Sequence, residues 1–268
     1  MMTSAQFRRV VYNYYKREGR HALPWRQTHD PYRVMVSELM LQQTQVPRVI
    51  PKYEAFMKRF PTVERLARAE LRSVLVLWQG LGYNRRAKLL HSAARAIVTH
   101  HDGVFPRTKE ALMELPGIGP YTASAILAFA YNMPTALIET NVRTVYIHHF
   151  FADRTGIPDT ELLPLIEKTM DAKKPREWYA ALMDYGTHLK QTVGNVSKKS
   201  SQYVRQSKFQ GSNREVRGAI VRLLSNEGSM TSRRVCLETD FSMERVAPQL
   251  KALTNEGLIK KIGQRYSL

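Results

Sequence analysis

The chain has 268 residues, 43% hydrophobic and 24% charged, which suits one large or two modest globular domains and excludes a disordered chain. Its 41 Lys and Arg against 23 Asp and Glu leave a net charge of +18, an excess that points to a polyanionic partner, nucleic acid first. One cysteine, Cys236, excludes a disulfide framework and a Cys-rich metal site. No stretch has the length of a membrane span or the make-up of a signal peptide, and no basic amphipathic helix suggests a membrane surface. The expected location is cytoplasmic, on the nucleoid. Residues 190–268 hold 15 basic and 6 acidic side chains, a denser charge than the rest of the chain.

From the N-terminus, Ser4 to about Lys16 has the apolar spacing of an amphipathic helix, through Phe7, Val10, Val11 and Tyr14. Leu23-Pro-Trp-Arg26 is short and rigid. Asp30-Pro31 then predicts a helix start, with the aspartate as cap and the proline at the first position. The helix from Pro31 to about Gln45 is apolar around most of its circumference, yet Glu38, Gln42 and Gln45 would form one polar stripe on it. Burying a carboxylate is costly and raises its pKa. A Glu38 paired with a core arginine, or facing solvent, is the bland alternative.

Helical patterns continue through Arg48–Phe60, Thr62–Ala69 and Glu70–Leu77, punctuated by Pro51 and Pro61. Gly80-Leu-Gly-Tyr-Asn-Arg-Arg86 combines a Gly-x-Gly turn with Tyr83, Arg85 and Arg86, a set suited to base stacking and phosphate contact. A helix connection with a solvated charged start fits these residues equally well. Ala87–His100 reads as another amphipathic helix, and Lys109–Leu115 leads into the next motif.

Leu115-Pro-Gly-Ile-Gly-Pro-Tyr-Thr122 sets two glycines between prolines, ahead of an apolar run that predicts a buried helix. Gly117 and Gly119 allow positive φ and close approach of a ligand, and Pro120 suits the first helical position. The amides at such a helix start are a seat for phosphate. An ordinary glycine-punctuated hairpin is the competing reading.

Further on, Ala136-Leu-Ile-Glu-Thr-Asn-Val142 puts Glu139 at the mouth of a helix over about Val142–Phe150, where Thr140 and Asn141 are the better caps. His148 and His149 are adjacent, point to different faces and read as structural. Trp178–Leu189 is a helix containing Asp184. Residues 190–212 are polar and basic, a linker or a loop laid on phosphates. Three short helices (Arg214–Leu224, Thr231–Glu238, Met243–Glu256) and a basic strand–turn–strand then follow the winged-helix order, with Cys236 read as a small core residue.

Four motifs taken together, Leu23-Pro-Trp-Arg26, Ser37-Glu-Leu-Met-Leu-Gln-Gln-Thr-Gln-Val46, Trp78-Gln-Gly-Leu-Gly-Tyr83 and Leu115-Pro-Gly-Ile-Gly-Pro-Tyr-Thr122, resemble the MutY-type adenine DNA glycosylases. These belong to the helix-hairpin-helix base-excision glycosylases. The resemblance covers about residues 5–190. It implies an all-α glycosylase fold of two subdomains, here followed by a small winged-helix-like α/β module. The implied division is 1–190 for the glycosylase, 191–212 for a basic loop, and 213–268 for the module. The implied partner is double-stranded DNA with a mispaired or damaged base, and the expectation is a monomer without a membrane.

The resemblance implies hydrolysis of the N-glycosidic bond of adenine opposite 8-oxoguanine or guanine, with the base flipped out of the stack. It places the general acid at Glu38. Tyr121 stands where bifunctional relatives carry a Schiff-base lysine, so little or no lyase activity is expected. Trp25, Arg26, Leu41 and Ala180 are implied in the base pocket. The expected DNA contacts are Gln42, Gln43, Thr44, Tyr83, Arg85, Arg86, Gly117, Gly119, Thr122, Lys198 and Lys199, with Gln43 and Tyr83 as wedges. No cofactor is expected; a monovalent cation at the hairpin is the one candidate ion.

Four departures stand out. Glu139 replaces the family's cation-stabilising aspartate, adding about 1.5 Å of reach. Residues 185–212 hold no cysteine where the family has a four-cysteine iron–sulfur site. Ala180 replaces an adenine-reading Gln or Glu. The winged-helix-like segment stands in place of the family's 8-oxoguanine-sensing domain. A glycosylase for thymine or uracil opposite guanine therefore stays open, as does a non-catalytic DNA-binding protein.

Overall fold

Asp30 does cap its helix: its carboxylate accepts from the Tyr32 amide at 2.9 Å, and Pro31 opens the first turn. The computed structural model describes residues 2–268. In chain order these form α1 (Ser4–Glu18), α2 (Pro31–Leu41), α3 (Val46–Arg59), α4 (Val63–Ala67), α5 (Leu71–Trp78), α6 (Arg85–His100) and α7 (Lys109–Met113). Then come α8 (Pro120–Tyr131), α9 (Thr140–Phe150), α10 (Asp159–Thr169), α11 (Pro175–Thr192) and α12 (Asn213–Glu227). The chain closes with β1 (Met230–Thr231), α13 (Ser232–Thr239), α14 (Met243–Asn255), β2 (Lys260–Ile262) and β3 (Arg265–Ser267). Among the described residues no helix is long and apolar enough to cross a membrane.

The chain divides into two units. The first holds residues 2–35, Pro106–Glu114 and Ile118–Arg205. Its core joins α1, α8, α9, α10 and α11 around Phe7, Val11, Tyr146 and Trp178, all fully buried. Phe7 meets Tyr146 and Trp178 edge-on, with ring centroids 5.1 and 5.7 Å apart. Each such side chain contributes roughly 2–3 kcal/mol by leaving water. His149 is indeed structural: it packs edge-on to Phe7 and bonds the Tyr185 hydroxyl. Burial, then the neighbouring His148, lowers its pKa to about 4.

The second unit holds Val36–Phe105, Leu115–Gly117 and Gln206–Leu268. Here α4 and α5 pack on α6, over a core with Phe56, Leu66, Trp78 and Leu90. The C-terminal part builds on α5: Arg72 donates to the Ser225 carbonyl at 2.7 Å, from α5 to α12. The helices α12, α13 and α14 pack on one another. The antiparallel sheet runs β1-β3-β2, and Tyr266 of its central strand pairs with Met230 on one side and Lys261 on the other.

Several expectations are corrected. The helix α2 stops at Leu41, so the polar stripe through Gln42 and Gln45 does not form. Gln43 turns into the left-handed region (φ 54), and Arg86 takes the carbonyls of Leu39, Met40 and Gln42, the ones a further turn would have used. Pro51 lies inside α3 rather than ending a helix. The helix α10 and the strand β1 were not expected, and Cys236 is half-buried, its sulfur 3.9 Å from that of Met243.

Candidate active site

The second unit carries the acid. Glu38 sits on α2 between buried neighbours, Val36, Ser37, Leu39 and Met40, and is itself 5% exposed. The apolar sequence of its own helix draws it out of water. Leu41, Gln42 and Thr44 are half-buried just beyond, and Gln43 is exposed on its left-handed turn.

Beside them, the Gly80–Arg86 turn splits its two arginines. Arg85 is exposed. Arg86 is buried and donates to the carbonyls of Leu39 (2.5 Å), Met40, Gln42, Leu81 and Gly82 and to the Thr44 hydroxyl. Burial lowers its pKa to about 10, still well above neutrality. Arg86 is therefore a strut, not the DNA contact that its place after a Gly-x-Gly turn suggested. Thr44 is likewise held inside this knot. Tyr83 adopts φ 48, with the Arg86 guanidinium 5.5 Å from its ring centroid.

At the hairpin, Gly117 has φ 79, and a Cβ there would lie 2.6 Å from that of Leu89, so only glycine fits. Gly119 needs no such freedom: its φ is −90, and no atom lies within 4 Å of a built Cβ. It caps α8 without a side-chain bond, with Pro120 in the first turn. Thr122 is 2% exposed, so its side chain is core and not a DNA contact. Tyr121 is half-buried at the start of α8.

The first unit carries the second carboxylate. Glu139, not Thr140 or Asn141, caps α9: its Oε1 accepts from the amides of Asn141 (2.7 Å) and Val142 (2.9 Å). The longer side chain folds back on its own helix, where the positive end of the helix dipole favours a negative charge. Its Oε2 has one long partner, Asn141 Nδ2 at 3.4 Å. Lys190 holds the Asn141 side chain at 2.9 Å. A Cβ on Gly186 would collide with the Asn141 carbonyl, so this glycine lets α11 press on the start of α9.

Trp25 and Arg26 lie in a short 3-10 turn, Pro24–Arg26. Arg26 forms a two-pronged pair with Asp184 and also donates to the Ala180 and Arg20 carbonyls. Its guanidinium is thus part of the frame, which the expectation of a pocket residue did not foresee. Arg20 adds bonds to Asp184 from its backbone and side chain, both at 2.7 Å. Ala180 is buried. Lys198 is exposed, while Lys199 is turned to the Ala152 carbonyl.

Residues 36–168 match the HhH-GPD superfamily of base excision DNA repair proteins. The chain belongs to the HhH-GPD superfamily. It is 37% identical over 189 residues to an adenine DNA glycosylase of Buchnera aphidicola subsp. Baizongia pistaciae, covering 69% of this chain and 53% of that protein. It is 44% identical over 181 residues to that of Mycobacterium tuberculosis (strain CDC 1551 / Oshkosh), covering 65% and 58%. The chain thus spans little more than half the length of either relative. Among solved structures it is similar to a thermostable thymine-DNA glycosylase, with TM-score 0.59 and 25% identity over 68% of this chain and 87% of that one.

A four-cysteine cluster does not fit this HhH-GPD chain, which has one thiol, on α13. After α11 a 3-10 turn, Val196–Lys199, is fastened to Ile157 instead. The Ile157 amide donates to the Lys199 carbonyl and the Ser201 amide to the Ile157 carbonyl, both at 3.0 Å. Among the described residues no three His, Cys, Asp or Glu side chains gather as metal ligands.

Proposed function

We propose that the chain is a monofunctional DNA glycosylase that hydrolyses the N-glycosidic bond of adenine mispaired with 8-oxoguanine or guanine. The observation that carries this is Glu38, a carboxyl group buried on a largely apolar helix, because a protein that merely binds DNA has no use for an acid there. Glu38 gives its proton to a ring nitrogen of the flipped adenine, which makes the base a leaving group. The C–N bond breaks with its electron pair going to adenine. Water adds to the sugar carbon, and its proton leaves for solvent. Glu139 supplies the negative charge that the oxocarbenium-like sugar requires. Its cap geometry absorbs the extra methylene relative to aspartate. Tyr121 cannot form an imine, so the product is an abasic site in an uncut strand.

On this reading residues 1–190 are the glycosylase, 191–212 replace the cluster loop, and 213–268 are a winged-helix-like module. The partner is duplex DNA, to which a +18 chain is drawn. The protein acts as a monomer in the nucleoid-associated cytoplasm, and the reaction uses no cofactor. The likeness to a thymine-DNA glycosylase, with a plain methyl at Ala180, supports a second reading: thymine or uracil opposite guanine.

Single-turnover base release from A:8-oxoG, A:G, T:G and U:G duplexes tests both. Cleavage of the adenine strand only after alkali is the expected result. Release from T:G or U:G alone would transfer the reaction to a pyrimidine. The Glu38→Gln variant should keep DNA affinity and lose base release by at least about a hundredfold; equal rates in the two proteins would overturn the acid assignment.

A further inference from the structure

The segment Gln206–Arg214 reaches Tyr83 within the second unit. Gln206 Nε2 donates to the phenol oxygen at 2.7 Å and Arg214 Nη1 at 3.0 Å. The Arg214 guanidinium carbon lies 5.4 Å from the ring centroid, matching Arg86 at 5.5 Å. Tyr83 holds a left-handed backbone, which is costly for an aromatic residue and persists only where its surroundings enforce it. Gln206 also approaches Gln43, at 3.4 Å. The C-terminal segment therefore gathers at the two side chains expected to wedge into a duplex.

A cavity of about 420 Å³ opens here, lined by Gln43, Tyr83, Arg85, Arg214, Arg217 and Glu256 among others. The one carboxylate in this lining, Glu256, is taken by Arg217 at 2.6 Å. Arg214 bonds neutral acceptors: the Tyr83 hydroxyl, the Ser207 carbonyl and hydroxyl, and the Lys208 carbonyl. Arg85 is exposed. Neither Arg85 nor Arg214 forms an ion pair among the described residues, so two uncompensated charges line a cavity with an aromatic ring in its wall. Guanidinium groups in that number suit a phosphate oxygen, and the ring beside them suits a nucleotide rather than a free anion.

We propose that this cavity takes a backbone phosphate of duplex DNA at the step Tyr83 enters, with Arg85 and Arg214 as its ligands. The C-terminal segment is then a part of the DNA interface. The proposal rests on the reading above in taking duplex DNA as the partner and Tyr83 as the wedge; it adds Arg214, which lies outside the matched residues 36–168.

The test is binding of the full chain to a duplex with a tetrahydrofuran abasic analogue opposite guanine, across a NaCl series. One phosphate contact contributes about 0.9 to the slope of log Kd against log salt. Arg214→Gln retains donors for Tyr83 and Ser207 but no charge. Because two guanidinium groups share the one phosphate, it should flatten the slope by about half that amount and weaken binding about threefold at low salt, while Arg214→Lys keeps the slope. Arg85→Gln, at an exposed position, should flatten it equally whether or not the Arg214 variant folds well by thermal melting. A parent-like slope in Arg85→Gln, or in a folded Arg214→Gln, would overturn the proposal. Base release measured on the same preparations keeps the two readings apart: duplex binding without release overturns the glycosylase alone, and release with unchanged slopes overturns the phosphate site alone. Absence of any duplex binding would overturn both.

Discussion

Arg26 and Asp184 face each other across two parallel hydrogen bonds, Nη1 to Oδ2 at 2.6 Å and Nη2 to Oδ1 at 2.8 Å. The carboxylate is 2% exposed and shared with Arg20, so this pair ties the Trp25 turn to the middle of α11.

Asp184→Asn should leave both guanidinium groups without their counter-charge and cost about 3 kcal/mol, read as a lowered urea midpoint. The pH dependence has a definite sign. Burial, the largest single influence, opposes the charge, but the hydrogen bonds and charges of Arg26 and Arg20 together outweigh it and hold this carboxyl below its usual range. The unfolded chain, with aspartate near its ordinary value of about 3.9, takes up the proton first. The stabilisation is thus fully present above that value and lost as pH falls through the depressed one. The Asn variant should lack this acid-side loss, so its stability profile below about pH 4 is flatter than the parent's.

Glu139→Gln separates capping from chemistry. The amide oxygen can still accept from Asn141 and Val142, so the melting temperature should move by no more than a few degrees, corresponding to under about 1 kcal/mol. Single-turnover base release should fall by about a hundredfold or more, because the charge is gone. An unchanged rate would reduce Glu139 to a helix cap.

Gly186→Ala probes the same place from α11. Its methyl would collide with the Asn141 carbonyl, forcing α9's first turn to shift and costing about 1–3 kcal/mol. Base release should drop more than DNA affinity, since the Glu139 carboxylate moves with that turn. A stable variant with the parent's rate would show that the turn tolerates the displacement.

The two neighbouring arginines should behave oppositely. Arg86→Ala removes the donor to five carbonyls and should cost about 3–5 kcal/mol. Arg85→Ala should leave the melting temperature nearly unchanged. Thermal melting of the pair settles which arginine is the strut; equal losses would contradict the assignment.

The parts of this protein that were legible in its sequence are those set by short-range chemistry. Asp30-Pro31 and Gly119-Pro120 start helices because capping and proline geometry act over two or three residues. Helical spacing placed Phe7 and Val11 on the buried side of α1, although Tyr15 rather than Tyr14 completes it, and the all-round apolar run of α8 is buried. Glu38 was legible for the same reason, an acid amid apolar neighbours. Arg86 was not: a cation after a Gly-x-Gly turn has the pattern of a solvated side chain, and its burial depends on where the last carbonyls of α2 fall. The Glu139 cap overrode ordinary preference because the glutamate could bend back onto its own helix. Gln206 and Arg214 meet Tyr83 from 123 and 131 residues away in sequence, separations at which composition and period carry no information. The loop around Lys199 was legible as basic but not as a segment fastened to Ile157.

That fastening has a consequence for how the protein survives in the cell. The segment after α11 is secured by two peptide hydrogen bonds, groups that neither peroxide nor a chelator removes. On the proposed function, this attachment would outlast the oxidative episodes that create the lesion.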